Sequence, residues 1–559
     1  MDNFQIADLF SLLAKLMDIH GENSFKTKTY ANAAFQIEKL NTPLAQMDTA
    51  QIAAQRGIGQ SVAQKVEEII ATGKLAVLDN LISQTPPGVL EMLRIKGLGP
   101  KKIHTVWKEM EIESVGELLY ACHENRLTLY KGFGQKTQDN IQEAITFYLS
   151  QQGLYLYQQA EQAALPVLSM LATTFGEDKV SLTGKLRQQA IIIDKINILV
   201  AATVSEVATC LNEAGSLVAT HTTATTLQYY EEGQLPLEII TCTPTLFGSA
   251  LLATTGPDAF TDNFPMPDWQ TTTAATEAEL FTAANLPMIH PSLRHHADIY
   301  QKAKQGLPAV IETKDIRGII HTHSTWSDGT HTIEQMAHAA INQGFEYLVI
   351  SDHSKSATYA QGLSAERVIA QHAEIDALNK QLAPFKIFKS IESDILGDGS
   401  LDYEVDILSR FDLVIASIHS NLKMNEEKAM MRLLTAIVNP YTTVLGHPTG
   451  RLLLSRNGYP VNHEQLIEAC VAHKVAIELN AHPRRLDIDY AWLPKATEAG
   501  AIISINPDAH FIEGFADIRY GVLAAQKGML TAAQNLSSLP LAAFEAYLQQ
   551  VKASKGTHA

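Results

Sequence analysis

The chain has 559 residues, with 43 lysines and arginines against 60 aspartates and glutamates, and a formal net charge of −17. This length predicts several domains, because one domain takes roughly 100–200 residues. A hydrophobic content of 46% and a charged content of 18% fit a folded globular protein and exclude a disordered one. The acidic total argues against a protein that simply coats nucleic acid through its charge.

Several classes of location and assembly are also disfavoured. No apolar run approaches the ~20 residues of a membrane span, and the N-terminus lacks the basic and apolar pattern of a signal peptide. The four cysteines lie far apart and form neither a disulfide pattern nor a metal-binding pattern, which suits a reducing compartment. We therefore expect a cytoplasmic protein with no membrane contact and no disulfide-linked partner, and we expect a monomer.

Charge and histidine are distributed unevenly along the chain. Residues 1–150 carry a net charge of −2, and residues 151–310 carry −8 with only seven basic side chains. Residues 311–559 carry −7 but hold 13 of the 20 histidines. Because histidine is the commonest metal ligand, metal chemistry is expected in this last segment.

A Gly-x-Gly motif occurs three times in the first 150 residues, as Gly57-Ile58-Gly59, Gly97-Leu98-Gly99 and Gly132-Phe133-Gly134. Each copy follows a basic residue and precedes an amphipathic helical stretch. A glycine turn in front of a helix leaves backbone N–H groups free to hold a phosphate of a nucleic-acid backbone. The repeat predicts helix-hairpin-helix units that bind DNA. A helical bundle with tight glycine turns is the alternative.

The segment around the first hairpin, residues 57–75, resembles the lyase domain of family X DNA polymerases. The resemblance places Lys65 at the position of that family's Schiff-base lysine, and it places Lys26 and Tyr30 at its 5′-phosphate-binding positions. A nucleophilic lysine needs a pKa lowered by burial or by a cationic neighbour. An exposed Lys65 that only contacts phosphate is the equally weighted alternative.

Residues 151–310 resemble the palm and thumb of the same family, but the acidic residues are replaced. Polymerases hold two metal ions with clustered carboxylates. The family's Asp-x-Asp pair corresponds here to Lys195 and Asn197, and its third aspartate corresponds to Pro236. We predict a retained scaffold without polymerase activity, and no Mg²⁺ in this site. A displaced acid such as Glu238 is the alternative.

From about residue 315 onward, short apolar runs alternate with helical stretches, as in an α/β barrel. Six of the seven candidate strands end in side chains that can bind metal, and barrel enzymes build their sites at these ends. The mixed imidazole and carboxylate set suits Mn²⁺, Zn²⁺ or Fe²⁺, and its size predicts two or three ions, with a carboxylate such as Glu392 as the bridge. The predicted ligands are His321, His323, Asp328, His353, Glu392, His419, His447, Asp508 and His510.

This last segment resembles the PHP phosphoesterase domain that is fused to bacterial family X polymerases, and all nine ligand positions match it by residue type. The resemblance implies a 3′–5′ exonuclease in DNA repair that acts on gapped, nicked or 3′-ended DNA, with Glu392, His323 and Asp328 as catalytic residues. Arg451 and Arg485 are candidates for contacting the substrate phosphate. Surface salt bridging is their alternative role.

The remaining histidines of this segment carry weaker signals. His482 ends a strand but stays ambiguous, and Asp352 is expected to orient ligands rather than to bind metal. Five others lie in helical or loop stretches and are expected to have no metal role: His331, His338, His372, His463 and His473.

The predicted fold class is a multidomain protein with an α-helical helix-hairpin-helix region, an α/β palm-like and thumb-like middle, and a distorted (β/α)7 PHP barrel. The predicted domains are 1–80 (lyase-like), 81–150 (fingers-like), 151–310 (degenerate palm and thumb) and 311–559 (PHP). Three rival functions remain open from the sequence: an active polymerase with coupled exonuclease, a small-molecule phosphatase, and a non-catalytic DNA-binding scaffold.

Overall fold

The computed structural model describes residues 1–40, 42–123, 126–213, 219–231 and 234–556. The chain divides into two compact units, residues 1–152 and 153–559. No helix in the described ranges is long and apolar enough to cross a membrane, and all four cysteines are free thiols. The finer domain boundaries inside each unit stay predictions.

The first unit is entirely helical in its described residues. Its core is formed by side chains such as Phe10, Leu13, Val66 and Ile103, which are fully buried. The helices are α1 Asn3–Ile19, α2 Ser24–Glu38, α3 Thr49–Ala53, α4 Gln60–Thr72, α5 Ala76–Ser83, α6 Pro87–Met92, α7 Pro100–His104, α8 Val115–His123 and α9 Gln135–Ser150.

The second unit begins with a five-stranded sheet in the order β2-β4-β7-β6-β5, in which only β4 and β7 are parallel. The elements of this part are β1 Tyr155–Leu156, α10 Tyr157–Phe175, β2 Val180–Thr183, α11 Gly184–Arg187, β3 Ile192–Ile193, β4 Ile196–Val200, α12 Val204–Glu213, β5 His221–Thr222, β6 Thr226–Tyr229, β7 Leu237–Thr241, α13 Phe247–Thr255, α14 Asp258–Thr261, α15 Glu277–Ala283 and α16 Ile299–Gln305.

The rest of the second unit is the predicted barrel, with seven parallel strands in sequential order. Its elements are β8 Gly318–Thr322, α17 Ile333–Asn342, β9 Tyr347–Ile350, α18 Ala365–Leu382, β10 Lys386–Asp394, α19 Val405–Leu408, β11 Leu413–Ser417, α20 Glu426–Val438, β12 Thr442–Leu445, α21 His463–Ala472, β13 Ala476–Asn480, α22 Leu493–Glu498, β14 Ile503–Asn506, α23 Ile518–Lys527 and α24 Leu541–Ser554. A parallel bridge between Thr322 and Ala509 joins the last strand end to the first and nearly closes the barrel. The predicted fold class is therefore confirmed.

The C-terminal helix covers the amino-terminal end of this barrel. Phe544 of α24 stacks on the buried Tyr347 of β9, with ring centres 4.5 Å apart. Lys552 donates to the carbonyl of Phe411 just before β11, which ties the helix to the same end. The carboxyl ends of the strands are left for a site, as in other barrel enzymes.

Candidate metal centre and nucleic-acid interface

Glu392, near the end of β10, lies at the centre of the histidines at the carboxyl end of the barrel. Its side chain is 1% exposed. Its Oε1 lies 3.0 Å from Nε2 of His447, 3.1 Å from Nε2 of His419 and 3.3 Å from Nε2 of His321. Its Oε2 lies 3.0 Å from Nδ1 of His353. Four separate strand ends thus bring imidazoles to one carboxylate.

The predicted ligands form three groups whose ligand atoms lie within 4.8 Å of one another. The groups are His323, Asp328, His353 and His510; His321, His323 and Asp508; and His353, Glu392 and His419. Eight of the nine predicted ligands are therefore brought together, and the ninth, His447, lies beside Glu392. We call these nine side chains the ligand cluster.

The other described histidines of the barrel lie outside the three groups. Nδ1 of His482 accepts a hydrogen bond from the backbone N–H of Arg484, so this side chain supports a loop. The histidines expected to have no metal role are also absent from the groups: His331, His338, His372, His463 and His473.

Unpartnered imidazole nitrogens in the ligand cluster fit a bound cation. Nε2 of His321, Nδ1 of His323 and Nδ1 of His447 are buried and have no hydrogen-bond partner among the described residues. A buried polar atom without a hydrogen-bond partner costs roughly 1–3 kcal/mol, a cost that a bound cation would offset. A mixed nitrogen and oxygen donor set is what Zn²⁺, Mn²⁺ and Fe²⁺ accept.

Two buried carboxylates that the sequence analysis left without a role orient these histidines. Nδ1 of His321 donates to Oε2 of Glu478 at 2.6 Å, and Nδ1 of His419 donates to Oδ1 of Asp394 at 2.7 Å. Each bond leaves Nε2 of the histidine facing Glu392. Asp394 stands two residues after Glu392 on the same strand face, a spacing that could have revealed it.

Asp352 holds the loop that carries Asp328. The fully buried Asp352 carboxylate accepts hydrogen bonds from the backbone N–H and the hydroxyl of Ser324, at 2.8 and 2.7 Å. It also accepts from the Ser327 hydroxyl and from Nε2 of Gln371. Burial raises the pKa of Asp352, which these bonds only partly offset. Such contacts suit the orienting role expected from the sequence.

Three members of the ligand cluster have a backbone conformation that favours glycine. The φ angles are +65° at His321, +22° at His447 and +54° at Asp508. Left-handed backbone costs about 1–2 kcal/mol per non-glycine residue. Side chains retained despite this cost are typical of functional sites, where strain is offset by the surrounding structure.

Burial and neighbouring charges shift the pKa values of the ligand-cluster side chains in different directions. Burial, with the charges of neighbouring imidazoles, lowers the pKa of His323 to about 3. Burial would also lower the pKa of His419, but Glu392 and Asp394 raise it to about 10. Burial raises the pKa of Glu392, but the surrounding histidines bring it well below its ordinary value. Glu392 is therefore ionised and His323 neutral at neutral pH, the forms in which they bind cations.

The two predicted phosphate-binding arginines have different surroundings. Arg451 pairs with Asp489 at 2.5 Å and donates to the carbonyls of Arg485 and Leu486, which are the contacts of its salt-bridging alternative. Nε of Arg485 lies 3.4 Å from Oδ2 of Asp508. Arg485 therefore stands at the edge of the ligand cluster. The side chain of Arg451 instead fixes the loop that carries Arg485.

The three Gly-x-Gly motifs form similar turns. Gly57, Gly97 and Gly132 have φ angles of +77°, +86° and +93°, which explains why glycine is needed there. The apolar residue between the two glycines is buried in each turn: Ile58, Leu98 and Phe133.

The second glycine of each motif begins a helix. Gly59, Gly99 and Gly134 are the N-caps of α4, α7 and α9, with ordinary extended φ angles. A Cβ atom at any of them would meet nothing within 4 Å, so packing does not require glycine. Their backbone N–H groups have no partner among the described residues. Exposed donors at a helix N-terminus form an anion-binding site.

The structure brings two of the three predicted lyase residues together. Nζ of Lys65, on α4, lies 5.9 Å from the ring centre of Tyr30, which itself stacks on Phe10. Lys26 is exposed on α2, one helical turn before Tyr30.

In the palm-like sheet, Lys195, the one basic residue at an expected acidic position, forms an ion pair with Glu238. Glu238 on β7 lies opposite Asn197 on β4. Its carboxylate accepts from Nζ of Lys195 at 2.8 Å, from Nδ2 of Asn197 at 2.7 Å and from Nε2 of Gln228 at 2.9 Å. Burial raises the pKa of Glu238, but these donors lower it overall. The displaced acid is thus present on the sheet, but its oxygens are occupied by the protein.

Arg187, in the same segment, is also neutralised. Its guanidinium lies 2.6 Å from Oε2 of Glu277, and the fully buried Arg294 lies 2.7 Å from Oε1 of the same carboxylate. Nη1 of Arg187 donates to the hydroxyl of Thr255. Arg187 therefore joins α11 to α13 and α15.

Some known proteins resemble the whole length of this chain, and others resemble only its N-terminal or its C-terminal part. Family profiles described as "Helix-hairpin-helix domain" and "SAM-like Helix-hairpin-helix tandem" match residues 1–75 and 89–146. The "DNA polymerase/3′-5′ exonuclease PolX" of Bacillus subtilis (strain 168) is 33% identical over 571 residues, which cover 98% of this chain and 100% of that protein. The chain belongs to the PolX family. The resemblance predicted from the sequence is therefore confirmed.

Other relatives of this PolX family member are shorter and match its C-terminal part. A "Probable phosphatase" of Thermoanaerobacter sp. (strain X514) is 27% identical over 201 residues, which cover 34% of this chain and 77% of that protein. A "Probable phosphatase" of Caldicellulosiruptor saccharolyticus is 26% identical over 204 residues, which cover 34% of this chain and 79% of that protein.

Proposed function

We propose that this PolX protein is a metal-dependent phosphodiesterase, a 3′–5′ exonuclease that acts on gapped, nicked or 3′-ended DNA in repair. The observation that carries the proposal is the buried Glu392 carboxylate surrounded by imidazoles at the open end of the barrel. The full-length similarity to a protein named as an exonuclease supports the same assignment.

The nine side chains of the ligand cluster would hold two or three divalent ions, with Mn²⁺ and Zn²⁺ preferred and Fe²⁺ compatible. When bound, such ions supply Lewis acidity toward a phosphate and lower the pKa of water. Glu478 and Asp394 fix the imidazole orientations through the bonds described above. Asp328 and His510, with side chains 31% and 33% exposed, are the most open members of the cluster and mark where DNA enters.

Arg485 would contact the scissile phosphate from the edge of the ligand cluster. Its side chain is 19% exposed and its only ion-pair partner among the described residues is Asp508, at 3.4 Å. Arg451 would act indirectly, because its contacts to Asp489 and to two carbonyls hold the loop that presents Arg485.

The helix-hairpin-helix turns would hold the DNA backbone. Unpartnered N–H groups at Gly59, Gly99 and Gly134, with open space in front of them, support contacts to phosphates that carry no sequence information. Lys26 and Tyr30 would add a 5′-phosphate contact near Lys65. Trapping a Schiff base decides whether Lys65 is a nucleophile or a phosphate contact.

We further propose that the palm-like sheet does not incorporate nucleotides. Five of the seven basic side chains of residues 151–310 are in ion pairs, which leaves little charge to hold a triphosphate: Lys185, Arg187, Lys195, Arg294 and Lys302. Among the described residues, no group of metal-ligating side chains forms around Glu238. Mg²⁺ is therefore not expected there.

The test is a gapped DNA labelled at the 5′ end of the primer, with Mn²⁺, with and without dNTPs. We expect wild-type protein to shorten the primer in both conditions, Glu392→Ala to leave it intact, and the exposed control Glu498→Ala to match wild type. Robust primer extension would instead overturn the proposed loss of polymerase activity. Shortening by Glu392→Ala would show that the nuclease site lies elsewhere.

A small-molecule phosphatase is the second candidate, favoured by the relatives named as phosphatases. The same protein preparations are tested on a phosphomonoester, 4-nitrophenyl phosphate. Turnover of this compound without shortening of DNA would favour the second candidate, whereas shortening without turnover would reject it.

A further inference from the structure

A crevice opens at one end of the palm-like sheet, where the parallel strands β4 and β7 both end. The last residues of these strands, Val200 and Thr241, lie opposite each other. The crevice has a volume of about 620 Å³, which lies within the range of small-molecule sites. Ligands of open α/β sheets commonly bind outside the carboxyl ends of parallel strands. The lining residues come from segments 174–179, 201–206, 224–225 and 241–244.

This crevice is separate from the positions that correspond to the metal-binding aspartates of family X polymerases. Two of those positions, Lys195 and Asn197, stand just before β4 and near its start, whereas Ala202 lies beyond its end. The five residues from Asn197 to Ala202 span roughly 16 Å of extended chain, at about 3.3 Å per residue. The loss of the acidic residues therefore leaves open what the crevice binds.

The polar groups that stay free in the crevice are mainly hydrogen-bond donors. Lys179 is exposed, and its ammonium group has no ion-pair partner among the described residues. The backbone N–H groups of Ala202 and Thr243 also have no partner there. The carboxylate of Glu206, the one acidic side chain of the lining, already accepts from the N–H and the hydroxyl of Thr203, at 2.8 and 2.7 Å. Free donors beside an engaged carboxylate favour an anionic ligand.

The rest of the lining offers apolar surface. Phe175, Val204 and Pro244 line the crevice, and the first two also pack against the core beneath the sheet, which holds them in place. Cys242 is partly buried in the same wall, and burial raises the pKa of its thiol to about 11. Apolar walls with a few polar groups are typical of small-molecule sites. They suit a ligand with an aromatic or aliphatic part.

We propose that this crevice binds a small organic anion, a phosphate or a carboxylate, that carries an aromatic or apolar group. The anion would contact Lys179 and the N–H groups of Ala202 and Thr243, and the apolar group would pack against Phe175 and Pro244. Inorganic phosphate would use only the donors, and a neutral aromatic compound would use only the apolar wall. The site is independent of the proposed nuclease function.

The thiol of Cys242 reports whether the crevice is occupied. The full chain, treated with chelator and desalted, is labelled with N-ethylmaleimide in the presence of phenyl phosphate, benzoate, inorganic phosphate or benzyl alcohol, and the labelled Cys242 peptide is quantified by mass spectrometry. We expect phenyl phosphate or benzoate to slow the labelling, and the stronger of the two tells a phosphate ligand from a carboxylate. Failure of both, or equal slowing by inorganic phosphate or benzyl alcohol, overturns the proposal.

Two matched lysine variants locate the anion. Lys179 and Lys304 are both exposed, and neither is in an ion pair among the described residues. In calorimetric titration with the protecting anion, Lys179→Met should weaken binding roughly 3- to 10-fold, whereas Lys304→Met should match wild type. Thr225→Trp, which places an indole in the crevice, should abolish binding, and urea unfolding checks that it folds. Unchanged affinity in Lys179→Met overturns the proposal. DNA shortening should be the same in both lysine variants, so failure of the nuclease proposal is detected separately.

Discussion

Glu478 offers the sharpest test of how the ligand cluster is held in place. Its carboxylate is 0% exposed and accepts four hydrogen bonds. Oε1 accepts from the backbone N–H of His447 and from Nδ2 of Asn480, both at 3.0 Å. Oε2 accepts from Nδ1 of His321 at 2.6 Å and from Nδ2 of Asn506 at 2.7 Å. In Glu478→Gln, one oxygen becomes an NH₂ group, and in either orientation this group faces two donors.

The magnitude follows from this geometry. Two buried donors would lose their acceptor, at roughly 1–3 kcal/mol each, so we expect a free energy of unfolding lower by roughly 2–6 kcal/mol. The imidazole of His321 would also lose the carboxylate that fixes its orientation. Loss of such an orienting partner typically weakens metal binding by about 10- to 100-fold.

The assay is calorimetric titration of chelator-treated protein with Mn²⁺ or Zn²⁺, together with urea unfolding in EDTA. Glu498→Gln, at an exposed position on α22, is the matched control and should resemble wild type in both measurements. Metal affinity of Glu478→Gln within twofold of wild type would refute the argument that Glu478 orients His321. Reduced stability with unchanged affinity would make Glu478 a purely structural residue.

Three further predictions address other parts of the chain. Gly97→Ala should destabilise the first unit by about 1–2 kcal/mol because of its positive φ, as measured by urea unfolding. Gly99→Ala keeps the N–H and should destabilise the unit less, but its methyl group would fill the open space through which a phosphate reaches the helix N-terminus, so DNA binding measured by fluorescence anisotropy should weaken. Glu277→Gln should lower stability by roughly 3–5 kcal/mol, because the fully buried Arg294 and the partly buried Arg187 lose the charge of the carboxylate they share. Burial raises the pKa of Glu277, but the two arginines lower it below its ordinary value of 4.5 overall. The ionised carboxylate therefore stabilises the fold fully above about pH 4.5, and this contribution is lost as the pH falls through the lower pKa of the folded state. Urea unfolding across pH 3–6 would detect the loss. Borohydride should trap wild-type protein on a 5′-deoxyribose phosphate end if Lys65 is a nucleophile, and Lys65→Ala should abolish the adduct; equal trapping of both would exclude that role.

The barrel and its ligand cluster could be predicted because the signal is local. Each ligand lies near the end of a strand or within a few residues after it, as His321 does in β8 and His323 just after it, and parallel strands bring their carboxyl ends together whatever the loops contain. The Gly-x-Gly turns were predictable for the same reason, since Gly57, Gly97 and Gly132 meet a backbone requirement that is independent of distant contacts.

The positioning role of Glu478 could not be predicted in the same way. Donors to Glu478 come from β8, from the residue pair after β12, from β13 and from β14, so its role exists only once these strands are adjacent. Arg451 shows the same limit. Its sequence context left phosphate binding and salt bridging equally open, and its contact with Asp489 depends on the conformation of a loop 38 residues away in sequence.

The net charge of −17 has different physical origins in different parts of the chain. In the barrel, Glu392 and Asp508 are buried among imidazoles, and their charge favours cations rather than repelling DNA. In the palm-like part, acids pair with five of the seven basic side chains, and the pair of Lys195 with Glu238 is the clearest case. An ion pair at this position removes both the carboxylate that would bind a metal and the cation that would attract a nucleotide. DNA binding is then left to backbone N–H groups and a few exposed lysines, which a negative total does not prevent, because such contacts act over short distances.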